Sequence, residues 1–338
     1  MRPLALAAAL CALALPGFAQ GTQPPCLADK LVREATSLSD LADVHYGDAD
    51  YRFAILLATN ARANTGPYKF IPDPLAPFSP NETRTLCIPQ LAEAERLRNR
   101  FDTYEDAVFD MVLPVPSEIS TSLDPLDGYG LVQVVSWVRS DQARWYSSQI
   151  GSAQPLTDHG DLWVTKSPKV QDFCTAYAQS RGAGLDRVTL RLEQRLGLPP
   201  KSAKTHFVTF EVETDPTNSQ IFRPCVSPDV TTRTCTVGPP RCDALPANPT
   251  PAQTAAHARC EAHLDFFHGQ YYTAFGVSLP SEFPWTSLGY TFDWAPGAVL
   301  GNGATDFQRY GESEYVIAAG APVRVLSVTS TKDYCGIP

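Results

Sequence analysis

Beyond its first fifteen residues the chain has no apolar run long enough to cross a bilayer, which takes about 20 residues in a helix. Membrane insertion is therefore not expected. Lysine- and arginine-rich clusters are also missing, and 27 basic side chains stand against 36 acidic ones, a formal net charge of −9. A surface of that sign repels polyanions, so nucleic acid is not expected as a partner. A neutral glycan suits this balance better. No Cys-x-x-Cys pair occurs, and the spacings of Cys225, Cys235, Cys242 and Cys260 fit no common zinc pattern. The serine elbow, the His-Glu-x-x-His helix and the phosphate-binding glycine loop are absent too. No cofactor and no metal is expected, and no internal repeat is visible.

What is present starts with an export signal. Arg2 precedes an apolar run from Leu4 to Leu15, and Pro16-Gly-Phe-Ala19 puts small residues at −3 and −1 of a cleavage site. Residues 1–20 read as a signal peptide. Cys11 follows Leu10, too bulky for a lipoprotein signal, and cleavage there would split the apolar run. Removing the signal takes away Arg2 and leaves a net charge of −10. Eight cysteines then remain, at 26, 87, 174, 225, 235, 242, 260 and 335. An even count in an exported chain points to disulfides, in connectivities that the count alone leaves open. The expected location is secreted or periplasmic.

The segment Leu38-Ser-Asp-Leu-Ala-Asp-Val-His-Tyr-Gly-Asp48 follows a hydroxyl N-cap and carries an apolar i, i+3 pair before an aromatic-Gly-Asp stop. A second short helix, Phe53-Ala-Ile-Leu-Leu-Ala-Thr-Asn60, ends on Asn60. Ile71-Pro-Asp-Pro74 and a closing strand, Thr85-Leu-Cys-Ile-Pro89, come next. On these residues, 26–89 resemble a single LysM module. The resemblance implies a βααβ fold that binds the N-acetylglucosamine backbone of peptidoglycan or chitin in a shallow groove, and hence association with the cell wall. The positions it assigns to that groove are Thr36, Ser37 and Leu38 in one loop and Ile71, Pro72 and Asp73 in the other. Ala35-Thr36-Ser37 stands where the module has Gly-Asp-Thr, and alanine takes positive φ less cheaply than glycine. In the implied topology Cys26 and Cys87 bracket the module and form a bridge. Cys225–Cys235 would then close a Pro/Thr-rich excursion and Cys242–Cys260 tie its end to a helix, which leaves Cys174–Cys335.

Residues 90–127 read as a helical connector, with too few apolar positions for a buried helix, followed by a Pro-rich linker at Leu113-Pro-Val-Pro-Ser117. Residues 128–338 read as one larger α+β domain. Strands are expected at 131–138, 161–165, 206–213, 314–317 and 323–328, and helices at 168–179, at 185–198 and from Pro251 behind the N-cap Thr250. The last helix is expected to bury Cys260, Leu264, Phe267 and Tyr271. The fold class is thus α+β, a small βααβ domain ahead of a larger disulfide-bearing one.

Candidate chemistry in the larger domain is sparse. His257, His263 and His268 miss the i, i+4 spacing of helical metal pairs and read as border residues of an apolar stripe. The aromatic-rich loop from Phe283 to Trp294, with Asp293, is the better candidate for lining a pocket. Glu312-Ser-Glu314 has the form of the late Glu-x-Glu of ADP-ribosyltransferases, but the early arginine strand and the Ser-Thr-Ser partner are not found. Trp163-Val-Thr, Phe222-Arg-Pro-Cys225, the 284–294 loop and Ser313-Glu-Tyr-Val316 together resemble a group of exported bacterial proteins without assigned activity. The expected function is wall-associated glycan binding through the single LysM-like module. The alternative is a wall-targeted enzyme with its site in the larger domain, which should show titratable groups converging in a pocket.

Overall fold

The computed structural model describes residues 26–32, 36–60, 62, 67–71, 77–78, 83–126, 130–155, 160–215, 220–275, 282–295 and 310–338. The expected signal peptide, Ala35, Pro72 and Asp73 lie outside them.

The N-terminal unit runs β1 (Cys26–Val32), α1 (Leu38–Tyr46), a 3₁₀ turn, α2 (Arg52–Asn60) and β2 (Arg84–Pro89), with β1 and β2 antiparallel. Ser37 starts α1 through a capping box with Asp40, and Gly47 at φ 75° ends it, a conformation that costs glycine little. The two helices bury Leu38, Leu41, Phe53, Ile55 and Leu56 against Leu86 and Ile88 of β2. A Cys26–Cys87 disulfide joins the strands at a Cα separation of 5.2 Å.

The connector differs from expectation. Helix α3 (Leu91–Asp110) is polar on average, yet Ala94, Leu97, Phe101, Tyr104, Val108 and, just past its end, Met111 are all buried at spacings of three and four. Its first half completes the core of the N-terminal unit, where Phe101 stacks on Phe53 at 4.1 Å. Its second half enters the larger domain, where Tyr104 meets Trp294 edge-on at 5.6 Å. Alanine, tyrosine and methionine carry half of this stripe, and a reading that counts only leucine and phenylalanine overlooks it.

The larger domain is built on β3 (Gly130–Arg139), β4 (Ala153–Pro155), β5 (Leu162–Lys166), β6 (Lys204–Thr214), β7 (Ile221–Phe222), β8 (Tyr290–Phe292), β9 (Tyr310–Ile317) and β10 (Pro322–Ser330). The described strands pair antiparallel in the order β4-β10-β6-β3-β5-β9-β7, with β8 added to β9. Helices α4 (Ser140–Ser147), α5 (Lys169–Arg181), α6 (Leu185–Arg195), α7 (Pro251–Phe275) and α8 (Thr331–Tyr334) complete it. Because successive strand side chains point to opposite faces, the sheet has two cores. Val134, Val164, Val208, Phe210 and Tyr315 form one with Tyr146 of α4. Val135, Trp137 and Phe207 form the other with Val170, Val188, Leu192 and Tyr334 from α5, α6 and α8. The strands and helices expected from the sequence are present within a few residues. The short elements α4, β4, β7, β8 and α8 were not expected, being too brief to show a period.

Three further disulfides, Cys174–Cys335, Cys225–Cys235 and Cys242–Cys260, have Cα separations of 5.3, 6.2 and 5.7 Å. All four pairings are those the chain order and the resemblance suggested. Disulfides at this density belong to an oxidising compartment. Among the described residues no helix is long and apolar enough to cross a membrane.

Candidate functional site

Strand β9 decides where the chemistry lies. Tyr315 and Ile317 enter the core shared with α4, so Glu312 and Glu314 face the other side of the sheet. Register places Glu314 opposite Thr165, which in turn lies opposite Val135, so one cross-strand row runs from β3 to β9. That row is part of the wall of a cleft of about 430 Å³. Trp163, Lys204, Phe207 and the turn Leu196–Pro199 extend the wall, and Gln270 and Thr273 of α7 with Glu282–Trp285 and Phe292 close the other side. Trp285 is held edge-on by Phe267 at 4.9 Å, and Trp163 meets Phe283 at 6.3 Å.

Three titratable groups line this cleft, each shifted toward its neutral form. Burial pushes the Glu314 carboxyl up to about 8, against the pull of the Arg223 guanidinium. That guanidinium is committed elsewhere, since it donates to the carbonyls of Gly289, Asp124, Val230 and Thr232. Burial, with the positive charge of Arg139 adding to it, pulls the half-buried Lys204 ammonium down to about 8. Burial also raises the carboxyl of Glu282. In each case desolvation of the charged form is the largest cause.

Two residues that line the cleft each carry a buried polar atom without a hydrogen-bond partner, Glu314 Oε1 and Trp285 Nε1, in residues 6% and 2% exposed. A buried group left unsatisfied costs about 1–3 kcal/mol, and such exceptions in a folded protein need a reason. Glu312, two residues earlier on the same face, is the contrast, because Arg195 Nε donates to its carboxylate at 2.8 Å.

The aromatic loop is divided between cleft and core. Phe283, Pro284, Trp285, Thr291 and Phe292 line the cleft. Asp293 does not; it is fully buried and takes a two-pronged ion pair from Arg191 at 2.9 and 2.6 Å. This pair fixes the end of β8 to α6. The expected face of α7 is also rotated. His263, Phe267 and Ala274 are its buried residues, whereas Tyr271 is exposed and donates from its hydroxyl to the Val112 carbonyl. His263 is no border residue, since its Nε2 lies 2.7 Å from the Cys225 carbonyl. Among the described residues no group of three or more His, Cys, Asp or Glu side chains is placed to hold a metal ion.

The described residues among those expected to form a groove, Thr36, Ser37, Leu38 and Ile71, are engaged internally. The Ser37 N–H and hydroxyl both donate to Asp40, and the Thr36 carbonyl accepts from Phe78 N at 2.7 Å. Leu38 and Ile71 are core side chains, and the Asn60 amide takes both the N–H and the carbonyl of Ile71. Thr36 and Ser37 are half-buried. Sequence reasoning missed Lys204, Thr165, Glu282 and the role of Glu314. The available signal was the alternation in β9, whose charged residues at 312 and 314 interleave with Tyr315 and Ile317.

No family model, no curated protein and no solved structure matches the chain.

Proposed function

We propose that this is an exported protein whose larger domain binds a small organic ligand in the cleft beside Glu314. The observation that carries the reading is the buried Glu314 carboxyl, whose Oε1 has no hydrogen-bond partner, on the wall of a mostly apolar cleft that Lys204 and Glu282 also line. A volume of about 430 Å³ falls in the range of small-molecule sites. Ionisable side chains shifted by burial on the wall of a cleft mark it as a candidate functional site. The test is a thermal-shift screen of a chemically mixed fragment set against the full disulfide-bonded chain and its Thr165→Trp variant, which fills the cleft. Fragments that stabilise the parent and not the variant support the reading. A set that yields none, or that stabilises both alike, removes it.

A second reading concerns the N-terminal unit. Its antiparallel strand pair with two helices between the strands, together with the LysM resemblance, favours retention on N-acetylglucosamine-containing wall glycan, which would place the cleft at the wall. Peptidoglycan or chitin should then retain the full chain, cellulose should not, and chitin oligomers should release it. Asp substitutions at Leu38 or Ile71 are unsuitable here, because both would unfold the unit. Equal retention on cellulose would remove this reading and leave the cleft untouched.

A further inference from the structure

We propose that the cleft binds the carboxylate of an apolar organic acid through the ammonium of Lys204. The inference rests on the ligand-binding reading of the cleft and names the ligand's class. A β-bulge brings Lys204 there. Along most of their pairing β3 and β6 set Val135, Trp137 and Phe207 on the face packed against α5 and α6, and Val208 and Phe210 on the face packed against α4. Regular alternation would put Lys204 with Val208 and Phe210. The register shifts between Val138 and Arg139, so that Val138 lies opposite His206 and Arg139 opposite Lys204. Residues directly opposite share a face, and Arg139 follows Val135 and Trp137 in steps of two. The bulge therefore turns Lys204 to the face of Trp137 and Phe207, where all three line the cleft. Bulges beside functional sites serve to re-aim a side chain in this way.

Lys204 is half-buried, not sealed. Among the described residues no hydrogen bond or ion pair engages its ammonium, and Arg139 and Asp141, the charges that act on it, pair with each other at 3.2 Å. A cation set among apolar groups without a counter-charge gains from a carboxylate, which accepts from its donors and offsets its charge. Val135, Trp163, Leu198, Phe207, Phe283 and Phe292 supply the wall for an apolar body. Glu314 stays largely protonated at neutral pH and adds no fixed negative charge that would repel the ligand. Glu282, on the opposite side of the cleft, is the one rival anchor, and it would select a cation instead.

Aromatic and aliphatic acids share this chemistry, and matched pairs separate them. One pair is 3-phenylpropionate and 3-phenylpropanol, the other octanoate and octanol; in each, only the first member has a carboxylate. A fifth probe, 3-phenylpropylamine, reports Glu282. Affinities are read by ligand-observed NMR titration of the full disulfide-bonded chain at pH 7. The expected result is that the acid of at least one pair binds about tenfold more tightly than its alcohol, the worth of one charge-assisted hydrogen bond. Which pair responds identifies the source. Lys204→Met, which keeps the length of the stem, should remove that difference, and Lys204→Arg, which keeps the charge, should retain most of it. Unchanged alcohol affinities in both variants establish that the cleft itself is intact. The comparison within the parent chain already decides if a variant fails to fold. Acids and alcohols that bind alike overturn the inference and leave the cleft reading standing. Tightest binding by the amine moves the contact to Glu282 and also overturns it, as does an acid preference that survives Lys204→Met. If no probe binds, the inference fails and the fragment screen alone decides the cleft.

Discussion

Two glutamates on one face of β9 show how much of a site depends on partners distant in sequence. Glu312 is paired because Arg195, on α6, reaches it. Glu314, two residues on, meets Thr165 and an apolar wall, and its carboxyl is raised from an ordinary 4.5 to about 8. The Glu-x-Glu pattern alone could not separate these fates, since the partner of Glu312 lies 117 residues away. The shift has a measurable consequence. Between pH 4.5 and 8 the unfolded chain releases the Glu314 proton and the folded chain keeps it, so folding loses stability as pH rises through that window and levels off above it. Glu314→Gln has no proton to release. Its stability relative to the parent should therefore increase from pH 5 to pH 8, by on the order of a few kcal/mol at most, as measured by urea unfolding at several pH values. A difference that stays flat with pH would mean that Glu314 titrates like a solvated carboxyl.

At the scale of elements, long segments with a clear period were legible and the relations between them were not. The alternation of His206-Phe-Val-Thr-Phe-Glu-Val-Glu213 and the cap at Thr250-Pro251 give β6 and α7 their places. The rotation of α7 was missed because its aromatics surround the helix, and only packing against Trp285 and the Cys225 loop selects His263 and Phe267. Helix α3 was misread for a related reason, as its stripe relies on Ala94, Tyr104 and Met111. The stripe makes α3 a strut that joins both parts, and the Tyr104 hydroxyl donates to the Glu282 carbonyl at the edge of the cleft. Phe101→Ala removes the ring stacked on Phe53 and should cost about 3–5 kcal/mol. Its loss falls on the N-terminal side of the strut, so calorimetry of the variant should resolve a separate, earlier transition for residues 26–89. A single transition shifted as a whole would show instead that the two parts unfold as one unit even without that contact.

The whole molecule is held by bridges of unequal reach and unequal access. Cys174–Cys335 joins α5 to the C-terminus across 161 residues, with both cysteines fully buried in the core beneath the helices. Cys242–Cys260 spans 18 residues, and both of its cysteines are half-exposed where an irregular segment meets α7. Thiol–disulfide exchange needs access to sulfur, whereas stabilisation through loop closure grows with the length of the loop. The two properties oppose each other here, because the bridge with the longer reach is also the shielded one. Mild reductant should therefore open Cys242–Cys260 first, without loss of the native near-ultraviolet signal from the buried tryptophans. Cys174–Cys335 should survive until the domain unfolds. Replacing that pair with alanines should cost about 5 kcal/mol in the chain-entropy account, against about 3 kcal/mol for the short loop. Alkylation of partly reduced protein followed by peptide mapping gives the order directly. Early modification of Cys335 would show that α8 opens before the core does, and the C-terminal helix would then be no part of what closes the sheet.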